Sequence, residues 1–355
     1  MSYTTEPAPQ DVAAVTVVDD HRRYAAASSE FGGIYHHPGW REAFATYGLK
    51  SWWLVATAGG RPAGVMPLVR QSSRVFGARL TSLPWVDEAG AVGSPEAVRQ
   101  LLSHAVALAR SEGARFEVVT KQPTTCAAAP PAGWGVDGAD KVLARLRLPA
   151  GADALWSGLS AKVRNQVRKS QKSGVEVDRG GAELVGAFYK IYSQNMRDLG
   201  SPSHSRAFFE ELCGALGDAA AVYVARAAGE PVGAGLVLAN GDAADIPWAS
   251  SLRASNSLCV NHGLYWRVLA DAADDGRAWF RFGRSTRDSG QHRFKRQWGA
   301  QDAPLAWFRH GRVADDDGSP ADAPSRALDA AQQVWRRLPL SVSRRLGPLI
   351  VSNAP

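Results

Sequence analysis

The chain has 355 residues, of which 45% are hydrophobic and 21% charged, a composition typical of globular proteins. This length predicts two domains, each long enough to bury its own core. Residues 1–20 lack a basic stretch followed by an apolar one, and no run of about 18 apolar residues occurs, so we expect neither a signal peptide nor a membrane-spanning helix. The three cysteines are far apart, which favours a reducing cytoplasm over a disulfide framework or a metal site.

The first part of the chain predicts a mixture of helices and strands. In chain order, the pattern predicts a helix over 37–48, a hairpin of two strands over 51–70, a strand over 79–83, a helix over 95–112 and a strand over 116–120. The helix over 95–112 is the clearest, because Leu101, Leu102 and Leu108 repeat at helical spacing on one face. Residues 122–138, rich in Ala, Pro and Gly, are expected to form a loop.

The second part repeats this order of elements. Strands are predicted over 142–148, 175–178, 220–227, 232–239, 245–250, 279–282 and 304–308, and helices over 153–173 with a break near Ser160, 182–199, 205–216 and 261–274. Because the turns at 58–62 and 228–232 occupy matching places, we expect a weak internal duplication with α and β structure in each half. The predicted domains are 1–140 and 141–315, followed by a basic C-terminal tail with a short helix over 316–355.

The net charge of +7 is concentrated in two stretches. Residues 162–172 hold five basic residues and no acid, whereas residues 281–296 hold six basic residues and one acid. Together these stretches carry +10, so the rest of the chain is mildly acidic. Such clusters are typical of sites that bind phosphate, carboxylate or nucleic acid, although two solvated faces would give the same counts.

The first basic stretch lies on a predicted helix. Arg164, Arg168 and Lys172 follow one another at intervals of four residues, as do the apolar Val163 and Val167. A solvated face usually mixes charges of both signs, and this basic ladder has no acidic partner. We therefore predict that Arg164 and Arg168 bind an anionic substrate, with a solvated outer face as the alternative.

The second basic stretch, residues 281–299, is interpreted as a strand that runs into a glycine-containing loop dense in cations and aromatic residues. Lys295 is the candidate catalytic residue, because a rigidly held ammonium group can stabilise a developing negative charge. Arg284 and Arg293 are candidate ligands for phosphate or carboxylate, which guanidinium groups bind in a bidentate manner. The alternative is a basic surface loop in which two aromatic residues anchor the chain to the core.

A third candidate region spans residues 247–266. Trp248, Asn261 and Tyr265 are predicted to line a substrate pocket, and the helix that begins near residue 261 has amides that can hold an anion. His262 is either a general base or a structural histidine. No phosphate-binding loop, dinucleotide fingerprint, serine nucleophile elbow or zinc-protease motif occurs in the sequence.

Several segments resemble those of FemAB-like proteins. Residues 162–175 contain KVRNQVRK followed by Gly-Val, residues 282–285 read FGRS, and residues 294–299 read FKRQWG, the most specific of these matches. Residues 188–202 are similar as well. The tail over 335–348 is similar to that of FemAB-related proteins associated with exopolysaccharide and PEP-CTERM systems.

The resemblance implies an α/β (α+β) fold of two tandem GNAT-like (acyl-CoA N-acyltransferase-like) domains with mixed, mainly antiparallel sheets. It also implies transfer of an amino acid from aminoacyl-tRNA to an amine of a peptidoglycan precursor, with no metal and no CoA. Two features depart from the family. Arg281 stands where the family usually has Asp, and the long helical hairpin that some members use to contact tRNA has no counterpart.

Three functional hypotheses follow. The leading hypothesis is a cytoplasmic N-acyltransferase or aminoacyltransferase of cell-envelope or exopolysaccharide biosynthesis, which acts on an anionic small-molecule or lipid-linked acceptor. Its acyl group comes from an activated ester or thioester, with aminoacyl-tRNA as one candidate donor. The second is an acetyl-CoA- or acyl-CoA-dependent N-acyltransferase. The third is a non-catalytic module that binds an anion, nucleic acid or a membrane surface. Whether the protein is an enzyme or a binding module, residues 330–350 are predicted to contact anionic lipid at the inner face of the membrane.

Overall fold

The structure is a computed structural model that describes residues 15–73, 77–112, 117–122, 132–136, 140–311 and 326–352. Within these ranges the chain forms two mixed β-sheets, each covered by helices. No helix in the described ranges combines the length and apolarity needed to cross a membrane.

The first sheet is built mainly from the N-terminal half. Its elements in chain order are β1 (Val15–Asp19), α1 (His21–Phe31), α2 (Trp40–Ala45), β2 (Ser51–Ala58), β3 (Arg61–Ser73), β4 (Gly77–Thr81), β5 (Val92–Gly93), α3 (Pro95–Ser111), β6 (Glu117–Gln122) and β7 (Gly135–Val136). Together with a strand from late in the chain, β15 (Ala306–His310), the strand order is β1-β2-β3-β4-β6-β15-β7, with β5 added to β3. The chain therefore returns to its first sheet after completing the second.

The second sheet belongs to the C-terminal half. Its elements are β8 (Lys141–Arg147), α4 (Ala152–Gly158), α5 (Ala161–Lys172), β9 (Val175–Gly180), α6 (Val185–Leu199), α7 (Arg206–Leu216), β10 (Ala220–Ala227), β11 (Glu230–Asn240), β12 (Ala243–Ser251), α8 (Val260–Asp274), β13 (Trp279–Thr286), α9 (Gly290–Gln297) and β14 (Gln301–Pro304). The strand order is β14-β8-β13-β12-β11-β10-β9. Two further helices follow, α10 (Arg326–Arg337) and α11 (Leu340–Val351).

The two halves repeat one topology, as the sequence predicts. In each half three antiparallel strands are followed by a helix and then by a strand that pairs in parallel with the third, namely β2-β3-β4-α3-β6 and β10-β11-β12-α8-β13. Alternating side chains along the strands bury both faces of the sheets. In β2, Trp52 and Leu54 point to one side of the sheet and pack with α3. Trp53 and Val55 point to the other side, toward the second half of the chain.

A shared aromatic core joins the two halves. Phe44 of α2 packs against Phe208 of α7 with ring centroids 6.1 Å apart, and Trp40 packs against Trp248 of β12 at 6.4 Å. Trp85, in the loop after β4, packs edge-on against Phe208 at 5.5 Å. These contacts form one continuous buried cluster, and they fix the position of the first half against β12.

A buried ion cluster lies at the same junction. Arg281 of β13 pairs with Glu88 of the first half at 2.5 Å and lies 3.6 Å from Asp245 of β12. Burial raises the pKa of Asp245 to about 6, and the Arg281 charge opposes that rise. Arg281, the residue at which the sequence departs from the pattern it resembles, therefore lies between two acidic side chains at the junction of the halves.

Most predicted elements are present, with three differences. The helix expected over 37–48 is limited to Trp40–Ala45, and α1 and β1 were not predicted. Residues 290–297, interpreted as a loop, form α9, because the Ser289 hydroxyl accepts a hydrogen bond from the His292 amide and caps the helix. The loop expected over 122–138 lies largely outside the described residues.

The shared aromatic core generates a prediction about stability. Phe208 is fully buried between the halves, so Phe208→Ala should lower the free energy of unfolding by about 3–5 kcal/mol, measured by urea denaturation. Leu349→Ala removes a side chain that is 66% exposed and should change stability by less than about 0.5 kcal/mol. A loss below about 1 kcal/mol for Phe208→Ala would contradict a core shared by both halves.

Candidate active site

The parallel strands β12 and β13 pair over only three residues each and then separate. Ala243, Ala244 and Asp245 pair with residues 279–281, and no pairing continues beyond Asp245. On its other edge β13 pairs with β8 throughout, with an irregularity between Arg281 and Arg284. The separation opens a cleft whose walls include residues 246–251 on one side and 282–284 on the other.

The cleft has a volume of about 730 Å³ and receives walls from both halves of the chain. Its lining residues are Trp85, Val86 and Asp87 from the first half, Tyr192, Asn195, Met196, Leu199, Pro202 and His204 from α6 and the segment after it, 246–251 of β12, Asn261 and Tyr265 of α8, 282–284 of β13, Gly290, Gln291, Phe294 and Lys295 of α9, and Val351 of α11. Apolar and polar groups therefore converge in one concave site.

One wall of the cleft is an open strand edge. Residues 248–251 of β12 pair with β11 on one side, and no other strand in the described ranges pairs with their opposite edge. Backbone N–H and C=O groups along that edge are available to an extended ligand, which would bind as an additional strand does.

The N-terminus of α8 lies at the cleft without a side-chain cap. The preceding residue, Cys259, has a left-handed backbone with φ of +57°, and its Sγ donates a hydrogen bond to Gln166 Oε1 of α5 at 2.8 Å rather than capping the helix. Asn261, in the first turn, lines the cleft. The positive end of the helix dipole is therefore available to an anionic group.

Lys295 is buried in the cleft wall and held by main-chain carbonyls. Its Nζ donates hydrogen bonds to the carbonyl oxygens of Gly283 at 2.8 Å and Arg284 at 2.9 Å. These carbonyls point toward the ammonium because Gly283 has φ of +75° at the irregularity in β13, a conformation that favours glycine. An ammonium group has three donors, so one remains for a ligand.

The environment of Lys295 lowers its basicity. Burial lowers the pKa of Lys295 to about 8; the charge of Asp87 opposes this change and that of Arg284 adds to it. The group therefore remains mostly protonated at neutral pH while lying close to its titration point. A cation of this kind can either stabilise a negative charge or exchange a proton with a ligand.

Asp87 of the first half positions Arg284 at the cleft. Asp87 Oδ2 accepts a hydrogen bond from the Arg284 amide at 2.9 Å, and its other carboxylate oxygen lies 3.8 Å from Arg284 Nε. Trp307 of β15 donates its indole N–H to the Asp87 carbonyl at 2.7 Å, and the Arg284 guanidinium lies over the Trp307 ring at 4.8 Å. The returning strand β15 thus helps to hold the arginine in place.

Aromatic side chains form the remaining wall. Tyr265 stacks on Phe282 with ring centroids 5.6 Å apart and contacts Phe294 edge-on at 5.2 Å. Burial raises the pKa of Tyr265, so its phenol stays neutral, and its hydroxyl has no hydrogen-bond partner among the described residues. The opposite wall contains His204, whose pKa burial lowers to about 3, which keeps the imidazole uncharged.

Five of the residues predicted from the sequence line this cleft: Lys295, Arg284, Trp248, Asn261 and Tyr265. The structure places the other three elsewhere. Arg164 donates to the carbonyl oxygens of Ser157 and Leu159, at 3.3 and 2.7 Å, and the Arg168 guanidinium lies over Trp156 at 5.4 Å. Arg293 donates to the Asp288 carbonyl at 2.6 Å. Anion binding by these three arginines stays a prediction.

His262 lies outside the cleft lining, whereas two residues of the first half lie within it. His262 packs against Phe294 and Trp298 and does not line the cleft, and burial lowers its pKa. Asp87 and Trp85 were not predicted. The available signal was the sequence Pro84 to Glu88, where an aromatic residue and two acids follow the third strand of the repeat, at the position that matches the end of β12.

Comparison with known proteins places the fold. Residues 158–296 match the family model described as acetyltransferase (GNAT) domain. The crystal structure of FemX is similar with a TM-score of 0.64 and 13% identity, over 84% of this chain and 97% of that one. None of the curated protein sequences matches this chain.

Two further solved structures are similar over most of their length. One is the C-terminal domain of a putative lysylphosphatidylglycerol synthetase from Agrobacterium fabrum, with a TM-score of 0.55, 12% identity, and coverage of 88% of this chain and 93% of that one. The other is L-PGS from Bacillus licheniformis, with a TM-score of 0.55, 10% identity, and coverage of 94% and 98%. The fold is that of two GNAT-like domains in tandem. The predicted fold class is confirmed.

The position of Lys295 generates a prediction about titration. In an NMR titration of the lysine side chains, Lys295 should titrate near pH 8. Asp87→Asn should lower that pKa further, because the Asp87 charge favours the ammonium form and asparagine can still accept the Arg284 amide. Glu30→Gln, on α1 and outside the cleft lining, is the matched control and should leave the Lys295 pKa unchanged. A Lys295 pKa near the unperturbed value of about 10.4 would contradict the burial described here.

Proposed function

We propose that the protein is an acyltransferase that moves an acyl or aminoacyl group from an activated ester or thioester to an amine of an anionic acceptor, in cell-envelope or exopolysaccharide biosynthesis. The observation that carries this proposal is the cleft between β12 and β13, where an open strand edge, an uncapped helix N-terminus and the Lys295 ammonium converge. A carbonyl donor requires such an arrangement, because the reaction develops negative charge on its oxygen.

The chemistry assigns a role to each wall. The donor lies along the β12 edge, and the acceptor amine attacks the donor carbonyl carbon to form a tetrahedral intermediate. Lys295 donates its third N–H to the oxyanion of this intermediate. When the intermediate breaks down, the C–O or C–S bond to the leaving group breaks and the new C–N bond remains. We assign no general base among the described lining residues, and the proton released by the amine passes to the leaving group or to water.

The charges of the cleft favour an anionic acceptor. Among its lining residues, Arg284 and Lys295 are basic and Asp87 is the one acid, while the uncapped α8 N-terminus adds partial positive charge. Arg284 is fixed by Asp87 and Trp307, which pre-organises its guanidinium for a phosphate or carboxylate.

Aminoacyl-tRNA is the donor that we favour. The segment that leads into α8, residues 257–263, lacks the glycine loop that an ordinary CoA site places there. One similar structure is named as a putative synthetase of lysylphosphatidylglycerol, a phospholipid that carries an aminoacyl group. Helix α5 adjoins the start of α8, because Gln166 binds Cys259 and the Lys162 charge acts on His262. Its basic ladder, with Arg164 and Arg168, is suited to the more distant phosphates of an extended donor.

An acyl-CoA donor is the second candidate, and one observation favours it. The matching family model is described as an acetyltransferase domain, and it covers both α5 and the uncapped start of α8. In that case the helix N-terminus would hold the pyrophosphate of the cofactor, and the pantetheine would lie along the β12 edge.

The role of Lys295 is tested by substitution. Lys295→Ala should reduce turnover by about 100-fold or more, because a donor aimed at the oxyanion is lost. Turnover is measured as transfer of labelled acyl groups into base-stable amides, with aminoacyl-tRNA and acetyl-CoA offered in turn against an extract of envelope precursors. Lys190→Ala is the matched control, since Lys190 is exposed, pairs with Glu230 and lies outside the cleft lining. Near-normal turnover by a folded Lys295→Ala protein would reject the assignment.

Calorimetric titration with acetyl-CoA separates the two donors. On the favoured proposal we expect no saturable binding at concentrations up to about 1 mM, the upper end of usual enzyme–substrate affinities. The acyl-CoA candidate would instead be supported by saturable binding that Ala249→Trp abolishes. This substitution places a bulky residue on the cleft side of β12. The Lys190→Ala protein serves again as the control for a change outside the cleft.

A further inference from the structure

The last helix, α11, presents an apolar face to solvent. Eight large apolar side chains are exposed in the described part of the chain, and five of them lie in the two C-terminal helices: Val334, Val342, Leu346, Leu349 and Ile350. On α11 the residues Val342, Leu346 and Leu349 recur at intervals of four and three, so they share one face. A surface helix of a globular protein normally turns its apolar stripe to the core, whereas this stripe of α11 is exposed.

The way α11 packs explains this orientation. Its buried residues are the small Ser343 and Gly347, and a Cβ on Gly347 would lie 2.8 Å from the Ser203 backbone. The helix therefore approaches the protein through small residues, and α6 holds it in place, since Arg344 donates to Ser193 at 2.9 Å and Arg197 donates to the Leu338 carbonyl at 3.0 Å. The large apolar side chains of α11 remain exposed to solvent.

The charge around this face has one sign. Arg337 and Arg345 are exposed and have no acidic partner among the described residues, and residues 330–352 contain no acid. Arg345 follows Val342 by three residues and precedes Leu349 by four, so it lies beside the apolar stripe. A basic and apolar helix face of this kind is complementary to the interface of a bilayer that contains anionic lipid.

The face also adjoins the mouth of the cleft. Val351, the last residue of α11, lines the cleft, and so does Leu199, which is 43% exposed. Arg336 of α10 donates to the Leu199 carbonyl, which ties the C-terminal helices to that rim. A surface that covers Leu346, Leu349 and Ile350 would therefore meet the cleft at its opening.

We propose that the α10–α11 face, defined by Val334, Val342, Leu346, Leu349, Ile350, Arg337 and Arg345, docks onto an anionic lipid bilayer and holds the cleft opening at the membrane surface. The docking does not depend on the reaction that the cleft performs. Docking would bring an acceptor that is anchored in the bilayer within reach of the cleft. Soluble acceptors could still enter the cleft.

Vesicle sedimentation of the full-length protein tests the docking. The protein should sediment with vesicles of equimolar phosphatidylcholine and phosphatidylglycerol and not with phosphatidylcholine alone. Replacement of Val342, Leu346 and Leu349 together by Ser should weaken partitioning at least about tenfold, because the insertion of apolar side chains is lost. Arg345→Glu should weaken it at least about fivefold, with the difference shrinking at high salt.

The controls separate docking from folding and from self-association. Val18→Ser with Val136→Ser removes exposed apolar side chains elsewhere and should leave partitioning unchanged. Circular dichroism melting verifies that each variant is folded. Equal partitioning of the original protein and the triple variant would overturn the proposal, as would equal binding to both vesicle types. The proposal would also be overturned if the protein did not bind vesicles and instead formed a dimer in solution that the triple substitution converted to a monomer.

Discussion

The packing of Trp40, Phe44 and Trp85 against Phe208 and Trp248 is the contact on which the candidate site depends. Without it, β12 and β13 would still separate, but the cleft between them would lack its wall from the first half. The loop that carries Trp85 and Asp87 is held by this core, and it places a carboxylate within reach of the Arg284 amide. Trp85 adopts φ of +69°, a strained conformation for a large residue, and the surrounding aromatic rings maintain it.

A single irregularity in β13 produces both the cleft and its cation site. The strand leaves β12 after Arg281 and pairs again with β8 from Arg284 onward, and Gly283 lies in between with a positive φ. This turn directs two carbonyl oxygens toward Lys295. The same two carbonyls would be satisfied by neighbouring strands in a regular sheet, so the strand separation and the seating of the ammonium have one structural cause.

The junction also explains the unusual arginine of β13. Arg281, which is half-buried, lies between the buried Glu88 of the first half and the buried Asp245 of the second. Removing one partner of such a group leaves uncompensated charge, which makes the cluster a constraint on how the halves fit rather than a source of net stability. It lies directly behind residues 246–247 and Gly283, so it supports the cleft wall from the inner side.

The sequence by itself predicted the repeated order of strands and helices, because periodicity is a local property of the chain. The resemblance of its motifs to those of FemAB-like proteins implied the tandem fold, and five of the residues that the sequence singled out line the cleft. The sequence did not reveal α9, whose cap at Ser289 lies within a run of cations, nor the roles of Asp87 and Trp85. It also did not reveal that β15 returns to the first sheet. The tertiary structure alone decided which basic residues lie together. An irregularity in β13 brings Arg284 and Lys295 to one site. Arg164 and Arg168 instead contact backbone carbonyls and an aromatic ring of α4 and the residues after it, and no spacing rule predicts these contacts.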